Sequence, residues 1–343
     1  MRTTPLDSPS TWRGRDLAGR TDWIHRLSPE EEADLERALR VARASGKAMD
    51  ALTVDDFPLP VLGPAVERWL ATLQRGRGFV NVKGLPVDRH PDEDLAWMVW
   101  GLGLHMGSAV SQNAAGDLLG HVRDTGADPD DPSVRLYKTR VELGFHSDGA
   151  DVVGLFCLRQ GRSGGATRLV STATLYNEIL ARRPDLLPLL YAPFYWDRNE
   201  EQAPGEEPFF RLPICREHEH GVGFFYIPWY IRKAQRHAAV PRLTPSQHEL
   251  LDLIDTLAAD PALHLEMRLE PGEINWLKNN TALHARTEFV DHEEPARKRH
   301  LLRLWLTARG DWNDADPLVQ GGIPTRAGVR SDADTLSRDD PGA

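Results

Sequence analysis

Only two cysteines, Cys157 and Cys215, occur in 343 residues. That is too few for a disulfide framework or a four-cysteine zinc site, and two buried free thiols in a reducing compartment are the simplest reading. Basic residues are outnumbered, 41 Lys and Arg against 51 Asp and Glu, for a formal net charge of −10. This excludes the broad cationic surface that grips nucleic acid or an anionic membrane, and leaves a small molecule or a protein as partner. No apolar run approaches membrane-spanning length. Residues 1–27 mix Arg2, Arg13, Arg15 and Arg20 with Asp7, Asp16 and Asp22 and lack an apolar signal segment, so a cytoplasmic location is expected. What is present is ordinary for a globular chain: 41% hydrophobic and 27% charged residues.

Helices dominate the first third. Ser28-Pro29-Glu30-Glu31 is a capping box with proline at the first helical position, and Leu35, Ala38, Leu39 and Ala42 follow at helical spacing up to Gly46. Further helices are predicted over Pro64–Leu73 and from Asp92 to about Leu102, with a strand over Phe79–Val82 between them. Beyond that, short β-type runs (Val134–Val141, Val152–Leu158, Phe209–Cys215, Gly223–Ile227) suggest a sandwich or barrel interrupted by helices at Thr172–Ala181 and Thr244–Ala259. Asn199–Pro208, with four glutamates and two prolines, reads as a surface loop or lid. From Gly321 onward little can be buried, and a mobile tail is expected.

Three stretches carry candidate chemistry. In Gly144-Phe-His146-Ser-Asp148-Gly, an imidazole and a carboxylate two apart on extended chain point the same way, as two members of a facial two-histidine, one-carboxylate iron(II) site would. His90-Pro91-Asp92 repeats the pattern in a loop leading into a helix, so the tripeptide alone proves little. In the second stretch, Pro271-Gly272 turns, Ile274–Leu277 is extended, Asn279-Asn280 turns again, and His284 follows where it can face a barrel interior. The third is Arg297-Lys-Arg299-His-Leu-Leu-Arg303-Leu-Trp305-Leu306. Leu302, Leu304 and Leu306 share an apolar face, while Arg299, Leu301, Arg303 and Trp305 share the other. Two inward arginines are costly unless anions meet them, and a dicarboxylate would supply those anions bidentately.

The order His146-x-Asp148, Gly164-Gly165-Ala166-Thr167, Pro271-Gly272-Glu273, His284 and Arg299-His-Leu-Leu-Arg303 resembles the iron(II)- and 2-oxoglutarate-dependent dioxygenases of the taurine dioxygenase (TauD/TfdA-like) family over about Phe79–Ala308. The resemblance implies a mainly β fold with α-helices, a double-stranded β-helix (jelly roll) core with N-terminal and inserted helices. It also implies a single domain over residues 1–320, helical over about 28–105 and jelly roll over about 106–310, with 321–343 as the tail. His146, Asp148 and His284 would hold iron; Arg299 and Thr167 would take the distal carboxylate of 2-oxoglutarate; Arg303 would lie near its C1 carboxylate or the substrate. Ala166 departs from the acidic residue common there. The implied reaction hydroxylates a small molecule using dioxygen, releasing succinate and CO2. Because Asp148 is a carboxylate where related halogenases have a small residue, oxygen transfer is implied over halogen transfer.

Substrate contacts are read from position alone. Gln112 and Asn113 follow a small-residue stretch, Arg286 shares a face with His284, and one of Tyr137 and Lys138 faces inward on the segment leading to His146. Arg303, Arg286 or Lys138 would favour an anionic substrate group. His218-Glu219-His220 reads as a hairpin tip. A cupin-like metal enzyme without 2-oxoglutarate and an idle, metabolite-binding jelly roll are the alternatives; a homo-oligomer stays open.

Overall fold

A computed structural model describes residues 1–129, 131, 134–218, 221–310, 312 and 322–325. Its centre is two facing sheets. The larger has seven strands, with Ile24–Arg26, Phe79–Lys83, Glu273–Lys278, Val152–Arg159, His300–Ala308 and Gly107–Ala109 in spatial order and Leu119–Val122 also paired to His300–Ala308. The smaller has Leu265–Met267, Thr167–Ser171, Ala282–Arg286 and Leu143–His146. Almost all the pairings are antiparallel, the arrangement of a double-stranded β-helix.

Strand alternation explains the layering. Phe79, Val153, Leu155, Cys157, Leu277, Leu301 and Trp305 of the large sheet meet Leu169, Leu265, Met267 and Ala282 of the small one in an inner apolar layer. The opposite face of the large sheet, including Leu302, Leu304 and Leu306, is covered by the helices Pro29–Ala44, Gly63–Arg75 and Asp92–Met106. The outer face of the small sheet is covered by Thr172–Arg182 and Pro245–Ala258. Capping boxes start the first and last of these helices, Ser28 with Glu31 and Thr244 with Gln247, each preceding a proline at the first helical position.

Some expectations are corrected. Val134–Val141 is not a strand: Leu136–Lys138 is a 3-10 turn, with Lys138 N–H donating to Arg135 O at 2.9 Å and the Thr139 hydroxyl to Leu136 O. Local hydrogen bonds there satisfy groups that a sheet ladder would otherwise need. Phe209–Cys215 divides at Ile214 into two strands, Phe209–Pro213 pairing with Pro193–Asp197 and Cys215–His218 with Gly221–Phe224. A helix over Pro228–Ala234 was not anticipated. Asn199–Pro208 is the loop expected between Asp197 and Phe209. Most of the expected tail lies outside the described residues, but Ile323 is docked, its N–H donating to Ser111 O at 2.9 Å.

Candidate active site

His146 ends its strand in register with His284 on the neighbouring one, and the two rings lie 4.2 Å apart between centroids. Two residues on, Asp148 is held by its own backbone: its N–H donates to Asn279 Oδ1 at 3.0 Å, and the Asn279 amide donates to Ala150 O at 2.7 Å. Ser147 faces away and exchanges hydrogen bonds with the Tyr226 backbone. His146 Nε2 lies 3.7 Å from Asp148 Oδ1 and His284 Nε2 lies 3.6 Å from Asp148 Oδ2. All three residues are buried, and their potential ligand atoms lie within 4.8 Å of one another; among the described residues no other group of three or more His, Cys, Asp or Glu is so placed.

Protonation suits a cation. His146 Nδ1 lies 2.8 Å from Gly144 O, so that nitrogen carries the proton and Nε2 presents a lone pair. Burial, with His284 beside it, lowers the His146 pKa to about 3. The imidazole is therefore neutral at pH 7, and its contact with Asp148 is not an ion pair. For Asp148, burial opposes the charged form, but Arg303 and the two histidines outweigh it and hold the carboxyl well below the usual range. Trp305 Nε1–H donates to Asp148 Oδ2 at 2.9 Å, and Arg303 Nη1 approaches the same oxygen at 3.4 Å. Gln112 Oε1 accepts from Arg303 Nε at 2.8 Å, and the guanidinium lies 4.8 Å from the Tyr137 ring and 4.7 Å from the Trp305 ring.

A second polar pocket is built beside the first. Thr167 and Arg286 are direct partners across the small sheet, and both are buried. Arg299 is 2% exposed, and its guanidinium shares the Phe289 ring with that of Arg286, at 5.0 and 4.9 Å. Gly164 and Gly165 have φ of +72° and +70°, and a Cβ on Gly165 would come 2.8 Å from Arg299 Nε, so glycine permits both the turn and the approach. Among the described residues no carboxylate forms an ion pair with these cations. Nε and Nη1 of Arg299 and of Arg286 are buried without acceptors, and only Arg286 Nη2 is seen to donate, to Val141 O. Burial, then Arg299, lowers the Arg286 pKa to about 9; burial lowers that of Arg299 to about 10, and both stay charged at neutral pH.

A cavity of about 370 Å³ opens on His146 and Asp148, walled by the 3-10 turn, the Asn199–Pro208 loop and the helix Pro228–Ala234. Of the residues expected at the substrate, Tyr137 and Arg303 line it. Gln112 instead orients Arg303, and Asn113 is spent on its own loop, its Oδ1 accepting from the Ala115 and Asp117 N–H groups. Lys138 is not in the wall, and Arg286 belongs to the Arg299 pocket. The segment around Trp229, expected from the sequence as a substrate loop, places that ring 5.1 Å from the His146 ring, whereas sequence reasoning missed Arg135, also in the wall. Trp305 was on the inward face but had no role; the alternation that placed it was the available signal. His90 pairs with Glu36, while Asp92 pairs with Arg159, so that repeat of the pattern does not converge. Glu219 and His220 lie outside the described residues.

Comparisons with known proteins point to one family and fold. Residues 43–305 match the model of a family described as "Taurine catabolism dioxygenase TauD, TfdA family". The chain is 30% identical over 309 residues to FR-33289 synthase of Streptomyces rubellomurinus, covering 88% of this chain and 90% of that protein. It is 27% identical to the taurine hydroxylase-like protein SAT17 of Stachybotrys chartarum, covering 92% and 85%. Among solved structures, an asparagine oxygenase in complex with Fe(II), 2S,3S-3-hydroxyasparagine and succinate shares the fold with TM-score 0.65 at 18% identity, covering 89% of this chain and all of that one. The non-heme iron oxygenase OrfP in complex with Fe and alpha-ketoglutaric acid does so with TM-score 0.63 at 14% identity, covering 88% and 99%.

Proposed function

The chain belongs to the taurine catabolism dioxygenase TauD, TfdA family, an iron(II)- and 2-oxoglutarate-dependent dioxygenase that hydroxylates a small molecule, and we propose that His146, Asp148 and His284 are its iron ligands. The observation that carries this assignment is a buried cluster of one ionised carboxylate and two imidazoles, one of them fixed as the Nε2-presenting tautomer. His284 Nδ1 is buried without a partner, so its ring is not committed to a structural hydrogen bond on that side. Iron(II), when bound there, supplies the coordination sphere in which dioxygen and 2-oxoglutarate give succinate, CO2 and a transferred hydroxyl group.

Arg299, Arg286 and the Thr167 hydroxyl form the cradle for the distal carboxylate of 2-oxoglutarate. The reason is that four buried guanidinium nitrogens have no acceptor among the described residues, since leaving charge buried and unpaired is strongly unfavourable. Arg303 lies on the other side, against Asp148 and in the cavity lining, and gives the cavity a cationic wall suited to an anionic substrate group. Trp229 and Ile227 add apolar lining to the cavity beside His146. Asp148 fills the position that a halogenase leaves open, which supports hydroxylation. Family membership displaces the cupin-like and idle jelly-roll readings.

Among the described residues no helix is long and apolar enough to cross a membrane. Cys157 and Cys215 are free and buried, which supports a reducing, cytoplasmic setting, and the family match over residues 43–305 supports a single catalytic domain over residues 1–320. The test is Asp148→Ala with anaerobic co-titration of iron(II) and 2-oxoglutarate. Loss of their joint binding and of substrate-coupled succinate release is expected; unchanged turnover overturns the ligand assignment.

A further inference from the structure

Besides Arg303 the cavity wall holds two guanidiniums, that of Arg198, whose Nη1 lies 3.7 Å from Glu206, and that of Arg135. Arg135, 15% exposed at its side chain, donates from Nη1 to the Gln112 backbone carbonyl at 3.2 Å. Arg303 binds the side chain of the same glutamine, so one residue ties both cations to one wall. They differ in what they leave open. Arg303 has Nε committed to Gln112 and Nη1 turned to Asp148. Arg135 presents the edge formed by Nε and Nη2, the geometry that takes an oxyanion bidentately, yet that edge is half filled: Glu201 meets Nη2, and Nε is buried without an acceptor among the described residues.

Glu201 reaches this cation from an unfavourable backbone. It follows Asn199 and Glu200, with φ of 53° and 65°, the only non-glycine residues with positive φ among those described. Conformations of that kind persist where surrounding contacts impose them, and they cluster at clamps and switches. Here the contacts are the Asn199 N–H on Asp197 Oδ1 at 2.7 Å and Lys233 Nζ on Asn199 Oδ1 at 2.5 Å. The result is a loop carboxylate delivered into the mouth of the cavity onto a cation it satisfies only in part.

We propose that Arg135 is the seat of a carboxylate, sulfonate or phosphonate group on the substrate, and that Glu201 occupies this seat until that group displaces it. The inference rests on the cavity being the substrate site of the dioxygenase. It predicts a substrate bearing a small oxyanion, and a loop released from Arg135 when that oxyanion binds.

The test uses the full chain loaded anaerobically with iron(II) and 2-oxoglutarate, so that Arg286 and Arg299 are occupied, at constant ionic strength. Inorganic sulfate is the probe, read by calorimetry and by the fluorescence of Trp229 and Trp305 in the cavity wall. Glu201→Gln, which removes the competitor and little packing, is expected to bind sulfate about fivefold tighter. Arg135→Met is expected to weaken it on the order of thirtyfold, with partial recovery in Arg135→Lys. An ion pair that is only structural would lower the melting temperature of Glu201→Gln and leave sulfate affinity unchanged, which overturns the proposal, as does undiminished binding in Arg135→Met or no sulfate binding in any form. Failure of 2-oxoglutarate to bind in the same preparations would instead count against the dioxygenase assignment itself.

Discussion

At the scale of single residues, the site is a set of protonation states held in place by neighbours. Trp305 is the clearest case, because its indole N–H fixes one oxygen of Asp148 while its ring lies against Arg303. Trp305→Phe keeps most of the packing and removes the donor. Iron affinity measured by anaerobic titration should fall about tenfold, the usual effect of losing a hydrogen bond to a ligand; unchanged affinity would make Trp305 a packing residue only. Arg286 makes a prediction of opposite sign for stability and binding. Its charge is buried beside Arg299 with no carboxylate, so Arg286→Met should stabilise the ligand-free protein, on the order of 1 kcal/mol, and weaken 2-oxoglutarate binding about tenfold. A rise in melting temperature with a rise in Kd supports the cradle; a fall in melting temperature with unchanged Kd assigns Arg286 to structure. His146 and Arg303 could be placed from the sequence because each obeys the two-residue period of its own strand, and Asp148 because it follows one such step beyond the strand that His146 ends. The cradle role of Arg286 could not, since it depends on Phe289 and Arg299 arriving from different segments.

At the scale of elements, legibility followed whether a segment satisfies itself locally. The strand His300–Ala308 was readable because its two faces are unlike, and Leu302, Leu304 and Leu306 do pack under the helices while Leu301 and Trp305 face inward. The segment around the Leu136–Lys138 turn was misread because the flanking β-branched Val134, Thr139 and Val141 mimic a strand while the hydrogen bonds of the turn close within a few residues. The same long strand carries a pH-sensitive contact at its start. His300 accepts from Arg159 Nη2 at 3.0 Å on Nδ1 and shares its other nitrogen with His121 at 2.8 Å. Burial, then His121 and Arg159, lowers its pKa to about 2, against about 6.5 in the unfolded chain. A depressed histidine pKa means that the unfolded state takes the proton first, so this contribution is complete above pH about 6.5 and is lost as pH falls from there towards 2. Thermal melts between pH 7 and 5 should show the melting temperature falling for the parent, and falling less for His300→Gln; parallel curves would exclude His300 as a source of acid lability.

At the scale of the whole molecule, charge is distributed by depth. The chain carries a net −10, yet Arg286, Arg299, Arg303 and Arg135 are gathered at its interior pockets. An incoming dianion therefore meets two fields. Far from the protein the net charge repels it; within the mouth, low-dielectric walls and the arginines attract it. Salt separates the two, because the Debye length is about 10 Å at 0.1 M and exposed charges are screened far more than buried ones. Raising ionic strength from about 0.02 to about 0.2 M should speed 2-oxoglutarate association, by relieving the distant repulsion, and leave its dissociation rate nearly unchanged, because the cradle is buried. Anaerobic stopped-flow binding measures both rates. An association rate that falls with salt would mean that the cationic pockets already dominate the approach, and a dissociation rate that climbs steeply would place the bound carboxylate at the surface and not beside Arg299.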